Sequence, residues 1–349
     1  MATPSRPNNQ PFRLLSLDGG GIRGAFIAAC LAEFERQLQR PITDYFDLIA
    51  GTSTGGIIAL ALALGEPAIK IKQFYESYGP QIFTRKKPLP MPIWVRTALG
   101  TIKRVFPAID SDALFQSKYD TGLLKQALVD MYGEKTLEDA KHCRLVIPAI
   151  DLINGQTITF KTPHQPGFIR DRHFKAVDVA LATGAAPTFF PHAVIQPGSA
   201  YCDGGLWANN PSVVAIAEAI KIQQVCQRPM IDPIFEMKDI FLLSIGTGKP
   251  RYFANPDPKS NGLLWWGPKL IDVMFGSQSQ GTQAEANYIL GDRCVRLDFE
   301  MPNGLWPLDG IENLSALFHI GTQKAVENYS KLKPTFFSSP KEQLQFFDA

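Results

Sequence analysis

The chain lacks a Cys-x-x-Cys pair, an apolar run long enough for a bilayer, and a surplus of either charge, and each absence closes off a class of protein. Its five cysteines, Cys30, Cys143, Cys202, Cys226 and Cys294, are scattered and odd in number, which fits neither a zinc site nor a disulfide framework and suits a reducing cytoplasm. The longest apolar stretch near the start, Ile57 to Leu64, is eight residues, whereas a membrane span needs about 20. Any membrane contact is therefore expected to be peripheral. Lys and Arg number 35 against 33 Asp and Glu, a formal net charge of +2, far from the basic excess of a protein that coats a nucleic-acid polymer. The opening MATPSRPNNQP is polar and proline-rich, without the basic-then-apolar build of a leader. What is present is 45% hydrophobic content over 349 residues, enough for one large or two ordinary domains.

The first legible unit is a strand, Phe12 to Leu17, running into Asp18-Gly19-Gly20-Gly21 and then a helix over Ile22 to Leu38, whose Phe26, Ile27, Cys30, Leu31, Phe34 and Leu38 recur on one helical face. The pattern repeats with a strand over Phe46 to Ala50, a turn at Gly51-Thr52-Ser53-Thr54-Gly55-Gly56, and a helix over Ile57 to Leu64. Two such units predict parallel strands joined by helical crossovers. Further strands are expected at Arg144 to Ile150, Thr157 to Phe160, around Ala200 to Cys202, and at Ile240 to Ile245. Helices are expected at Phe174 to Thr183 and at Pro211 to Gln224, the latter capped by Asn210 with Pro211 at its first position. The expected organisation is a polar tail over 1–11, one domain over 12–335 with an insertion at 77–110 and a less legible part at 250–335, and a C-terminal tail over 336–349.

Gly51-Thr52-Ser53-Thr54-Gly55 matches Gly-x-Ser-x-Gly, which places a serine on a cramped strand-to-helix turn where only glycine fits beside it. A tight turn made of small residues would look the same, but the strand before and the helix after favour a nucleophile. A serine hydroxyl needs a base and an oxyanion hole. Gly19, Gly20 and Gly21 can aim consecutive N–H groups at one point, and Arg23 in the following turn either lends charge to an anionic substrate or is simply a solvated arginine. The same stretch also reads Gly-x-Gly-x-x-Gly (Gly19, Gly21, Gly24), the dinucleotide fingerprint, which demands an acid at the carboxyl end of the second strand. Asp44 and Asp47 stand at the wrong end of that strand, so a nucleotide oxidoreductase is the weaker alternative. None of the five histidines, His142, His164, His173, His192 and His319, has a catalytic context. Asp203 lies at a strand end before Gly204 and Gly205, where an ordinary Asp-Gly turn is the competing explanation.

Taken in order, Asp18-Gly-Gly-Gly-Ile-Arg-Gly24, Gly51-Thr-Ser-Thr-Gly55 and Asp203-Gly-Gly205 resemble the three signature motifs of the patatin-like phospholipases. Ala182 to Pro191 and Leu243 to Gly248 extend the likeness over about residues 12 to 250. The resemblance implies a three-layer α/β/α fold with a mostly parallel central sheet, and a Ser–Asp dyad of Ser53 and Asp203 without histidine. It also implies an oxyanion hole at Gly19, Gly20 and Gly21, and no catalytic cofactor or metal. The supporting motif residues are Asp18, Arg23, Gly24, Gly51, Gly55, Gly204 and Gly205. Leu308-Asp-Gly-Ile-Glu-Asn-Leu314 and the short lead into the glycine loop resemble more narrowly the bacterial CapV-type effectors of anti-phage signalling. That likeness implies activation by a cyclic dinucleotide and degradation of the cell membrane. A housekeeping acyl hydrolase, or a non-catalytic nucleotide-binding module, would share the motifs.

Ser77 to Ile109 holds five prolines and no acidic residue and reads as a loop-rich insertion beside the sheet, and its Arg85, Lys86, Lys87, Arg96, Lys103 and Arg104 stand unopposed. A solvated basic face accounts for them, as does contact with anionic lipid, worth about 1 kcal/mol per basic residue, or with nucleotide phosphates. Leu263-Leu264-Trp265-Trp266 reads as a lid, a membrane contact or a surface between copies of the chain.

Overall fold

The computed structural model describes residues 11–85, 117–165, 167–226, 235–249, 270–302, 306–341 and 344. Among the described residues seven strands form one sheet: β1 (Phe12–Leu17), β2 (Leu48–Gly51), β3 (Arg144–Asp151), β4 (Gln156–Lys161), β5 (Tyr201–Asp203), β6 (Ile240–Ile245) and β7 (Cys294–Leu297). The path through it is β4-β3-β2-β1-β6-β7, parallel from β3 to β7, with β4 and β5 antiparallel to β3.

Strand alternation decides the layers. Leu15, Leu17, Ile49, Leu145, Ile147, Leu243 and Ile245 point into one core. Their neighbours Phe12, Leu14, Leu48, Ala50, Val146 and Leu242 point into the other. The first core is covered by α1 (Gly24–Leu38), α2 (Thr54–Ala63), α3 (Ala68–Ile82), α4 (Thr121–Tyr132), α5 (Ala176–Thr183) and, late in the chain, α8 (Leu314–Phe336). The second is covered by α6 (Ser212–Cys226) and the far end of α7 (Leu270–Leu290). Helices on both faces of a mostly parallel sheet make the three layers that the motif resemblance implies. All ten residues of α2 are buried, so this helix is walled in on every side. Asn210 caps α6 as expected, its Oδ1 accepting from the Ser212 N–H at 3.0 Å.

β3 carries two partners on one edge. β2 pairs with Arg144 to Val146, and β5 takes over with Ala149 to Asp151. Pro148 stands between the two pairings, where its missing N–H costs the ladder nothing.

Two expectations need correction. The stretch from Ser77 is not loop at its start, because α3 continues through Pro80 to Ile82. Ile71, Phe74, Tyr75 and Ile82 keep the helical period with their side chains buried, and the proline falls in the last turn. Nor does the chain hang free from residue 336. Phe336 and Phe337 are buried against Phe46 and Phe34, and Arg13 of β1 donates to the carbonyls of Thr335 and Ser339 at 3.1 and 2.8 Å. The sequence around them is polar, which disguises the two aromatic anchors. Lys86, Lys87, Arg96, Lys103, Arg104, Trp265 and Trp266 lie outside the described residues. Among the described residues no helix is long and apolar enough to cross a membrane.

Phe336→Ala should cost about 3–5 kcal/mol in denaturant unfolding, the usual penalty for emptying a buried aromatic site. A loss under about 1 kcal/mol would show that the C-terminal segment is not part of the core.

Candidate active site

The turn after β2 requires its glycines for lack of space. A Cβ on Gly51 would lie 2.2 Å from the Gly55 carbonyl oxygen, and one on Gly55 would lie 2.2 Å from the Leu17 carbonyl oxygen. Ser53 sits at the apex with φ 53° and ψ −123°, a left-handed backbone that side chains avoid and that tight packing must hold. Its N–H donates to Thr183 Oγ1 at 2.9 Å, and that hydroxyl donates onward to the Pro148 carbonyl at 2.7 Å.

The Ser53 Oγ–H points at Asp203 Oδ2, 2.7 Å away. The other carboxylate oxygen accepts the Gly205 N–H at 2.6 Å. Gly204 and Gly205 leave room for the chain to fold back: a Cβ on the first would strike the Pro148 carbonyl at 2.4 Å, and one on the second the Phe275 ring at 2.7 Å. Asp203 is completely buried, and burial pushes its carboxyl up to about 7. The hydrogen bonds from Ser53 and Gly205 pull the other way without offsetting it. A carboxylate with that proton affinity can take a proton from a neighbouring hydroxyl near neutral pH.

Later parts of the chain hold the glycine loop through backbone carbonyls and side chains. Gly19 N–H donates to the Asn209 carbonyl at 2.9 Å, and Gly19 O accepts from Thr247 Oγ1 at 2.7 Å. Gly19 is thereby removed from the expected set of oxyanion donors, since its N–H is already engaged. Among the described residues no hydrogen bond takes the N–H of Gly20 or Gly21. Gly21 has φ 57°, and a Cβ there would lie 2.2 Å from the Leu308 carbonyl oxygen. Arg23 departs from its expected role: it is buried, its Nε donates to the Gly20 carbonyl at 3.2 Å, and it faces Asp272 at 3.6 Å. It braces the loop from behind. Gly24 sits at the start of α1 against Thr54 and Tyr75, whose hydroxyls hydrogen-bond to each other.

Asp18 is gripped by Arg296 of β7 through both carboxylate oxygens, at 2.8 and 2.6 Å. Burial works against the Arg296 charge, but Asp18 and Asp298 outweigh it and hold the guanidinium protonated. Sequence reasoning missed Arg296, Thr183, Thr247 and Asn209. The alternation Arg296-Leu297-Asp298 at a strand edge is a faint signal for the first, and the others carry none.

Ser53 opens onto a narrow apolar cleft lined by Ile57, Phe74, Ile82, Phe83, Leu124 and Phe190 along with Gly21. The site thus joins a hydroxyl, a buried carboxylate and unoccupied N–H groups to a greasy slot. The sequence profile described as patatin-like phospholipase matches residues 15–216. The chain belongs to the patatin-like phospholipase family. It is 33% identical to the cGAMP-activated phospholipase of Vibrio cholerae serotype O1, over 94% of this chain and 95% of that one. A protein of the same description from Escherichia coli is 37% identical over 73% of this chain and 67% of its own length. Patatin-like protein 1 of Arabidopsis thaliana is 33% identical over 95% and 83%. Among solved structures, VipD from Legionella pneumophila covers 93% of this chain and 68% of its own at 12% identity and a TM-score of 0.43. That overlap is loose, and the assignment rests on sequence.

As a patatin-like phospholipase the chain is a hydrolase, and several sequence alternatives close. Asp47 precedes β2 and accepts the Arg13 N–H at 2.8 Å, at the opposite end of the strand from a ribose acid. His164 is buried between Thr162 Oγ1 at 2.7 Å and Glu218 at 3.2 Å, and burial lowers its pKa to about 4. The other four histidines are exposed. No histidine hydrogen-bonds to Ser53 or Asp203 among the described residues. Of the six basic residues singled out, Arg85 is described, and it is exposed beside Tyr119.

A carboxyl held at about 7 is ionised only above that value, so a reaction that uses Asp203 as its base loses rate as pH falls through it. kcat/KM on a soluble short-chain ester should rise about tenfold per pH unit below 7 and level off above it. A flat profile between pH 5 and 8 would exclude Asp203 as the base. Arg296→Met strands two buried carboxylates and should destabilise the fold by about 3–5 kcal/mol in chemical denaturation.

Proposed function

We propose that Ser53 and Asp203 act as a Ser–Asp dyad that hydrolyses the acyl esters of phospholipids. The observation that carries this reading is the 2.7 Å bond between Ser53 Oγ and Asp203 Oδ2 on a strained turn beside an apolar slot. Asp203 takes the hydroxyl proton as Oγ attacks the acyl carbonyl carbon. The oxyanion that forms accepts the free N–H groups of Gly20 and Gly21, and losing one such donor typically costs roughly 10²–10³ in rate. Collapse of the intermediate expels the lysophospholipid alcohol, which takes the proton from Asp203. Water then attacks the acyl-serine with Asp203 again as base, releasing the fatty acid and restoring Ser53. The slot lined by Phe74, Phe83 and Phe190 suits an acyl chain.

Peripheral contact with a phospholipid surface, at the cytoplasmic face of the membrane, belongs to the same reading. β3 runs five residues beyond the pairing of Ala50 with Val146, about 16 Å at 3.3 Å per residue, so its turn stands above Ser53 at the carboxyl edge of the sheet. Leu152 and Ile153 of that turn are 48% and 63% exposed, and Val194 beside them is 59% exposed. Leu152 N–H donates to Ala200 O while Ala193 and Tyr201 exchange bonds, which brings this apolar rim together. Three curated relatives described as cGAMP-activated phospholipases, from Vibrio cholerae, Pseudomonas aeruginosa and Escherichia coli, support gating by a cyclic dinucleotide and, with it, a membrane-degrading role in anti-phage defence.

Ser53→Ala should abolish phospholipid hydrolysis and fluorophosphonate labelling while leaving the melting temperature within a few degrees of wild type. Retained hydrolysis in that variant would refute the dyad. Hydrolysis of phospholipid vesicles across a panel of cyclic nucleotides tests the gating, and equal rates with and without them would leave an ungated acyl hydrolase.

A further inference from the structure

Behind the glycine loop lies a second cleft, half open to solvent, of about 270 Å³, roomier than the acyl slot and sharing none of its lining residues. One wall is a single face of α7: Gly276, Ser279, Gln280, Gln283, Ala284 and Asn287 fall at the i, i+3, i+4, i+7, i+8 and i+11 positions. A helix face made of carboxamides and small residues has little apolar surface to bury, yet it faces a recess. The floor is Asp18, Arg23, Arg296 and Asp298, the residues that clamp the loop, and exposed Lys249 stands at the edge.

The chemistry of this recess selects a ligand. Its buried charges are already matched, Arg296 by Asp18 and Asp298 and Arg23 by Asp272. Recognition therefore falls to the amides, which offer a donor and an acceptor in one plane and so complement the edge of a nucleobase. Gln283 Nε2 donates to Asn287 Oδ1 at 2.9 Å, while Gln280 makes no hydrogen bond among the described residues. Lys249 forms no ion pair among the described residues, which leaves a cation for phosphate at the rim.

We infer that this cleft is the site at which a cyclic dinucleotide binds and controls the enzyme, an inference that rests on the gated reading above. The coupling is built from named contacts. Ser279 of α7 donates to Asp18 at 3.0 Å and accepts from Asn209 Nδ2 at 2.9 Å. Asp272 of the same helix faces Arg23, which holds the Gly20 carbonyl, and Phe275 packs on Gly205 next to Asp203. α7 therefore touches both the loop that supplies the oxyanion donors and the turn that supplies the base. A ligand on its polar face shifts activity by binding one arrangement of these parts better than the other.

Calorimetric titration of the full chain with cGAMP tests the site, using Ala284→Trp to fill the cleft from an exposed helix position and Lys249→Glu to reverse the rim charge. Ligand-free melting controls for folding in each. Both variants should bind cGAMP at least about tenfold more weakly than wild type and need correspondingly more of it for vesicle hydrolysis. If wild type is activated by cGAMP and both variants bind within about twofold of it, the site lies elsewhere and the gating reading stands. If wild type neither binds nor responds to cGAMP while still hydrolysing a soluble ester through Ser53, gating itself is wrong and this inference falls with it.

Discussion

The bond between Ser53 and Asp203 joins residues 150 positions apart, and one strand edge makes it possible. β2 and β5 approach the same edge of β3 from opposite directions, and each stops short of the other. The chain leaving β2 turns at Gly51 and lifts Ser53 into the gap, while the chain ending β5 brings Asp203 down to it. Pro148 lies in that gap, and its carbonyl takes the Thr183 hydroxyl that holds Ser53 N–H. Without the change of partner along β3, the hydroxyl and the carboxylate would be separated by the width of a strand, about 4.8 Å, plus the reach of both side chains.

Two costs are concentrated at this junction, and the surrounding packing holds them. Ser53 keeps a left-handed backbone, worth roughly 1–3 kcal/mol of strain, and Asp203 keeps a carboxyl without a neighbouring cation. The carboxyl works against stability in a defined direction. Its folded pKa of about 7 lies above the unfolded value of about 4, so the folded state retains a proton that the unfolded chain releases. The stability this gives is complete below about pH 4 and is lost as pH rises through 7. Base catalysis, as proposed, needs the opposite state. The pH that best serves the reaction is therefore one at which this group destabilises the fold, and the fully buried helix α2 together with β1 to β3 must supply the difference.

What could be read from the sequence follows from how local its signal was. The alternation Leu14, Leu15, Leu17 and the helical spacing of Phe26, Cys30 and Phe34 depend on nearest neighbours, and the corresponding strand and helix appear within two residues of expectation. Gly51, Gly55, Gly204 and Gly205 were legible because a missing Cβ is a strict local demand. The long-range restraints were not. Arg13 reads as a polar residue in an apolar strand, and only the returning C-terminal segment gives its guanidinium the carbonyls of Thr335 and Ser339. Gly19 reads as a free donor until the Asn209 carbonyl, 190 residues later, takes its N–H. Pro80 reads as a helix breaker, yet it sits in the last turn of α3, where little ladder remains to lose.

The family profile ends at residue 216, but the glycine loop is not finished there. Gly19 is fixed by Thr247, Asp18 by Arg296 and Ser279, Arg23 by Asp272, and the Ile22 N–H by the Leu308 carbonyl at 2.8 Å. All of these partners come from the last third of the chain, where the sequence is hardest to read. The segment that carries the motif holds its own shape only through Arg23 on the Gly20 carbonyl and leans on later residues for the rest, because a run of glycines resists no backbone rotation. Its geometry is set by β6, β7 and α7, elements whose sequence does not advertise a site. That division leaves the proposed chemistry with the N-terminal motifs and the shape of the glycine loop largely with the C-terminal part. A change confined to α7 can therefore reach the glycine loop, through Ser279 on Asp18 and Asp272 on Arg23, without touching Ser53 or Asp203.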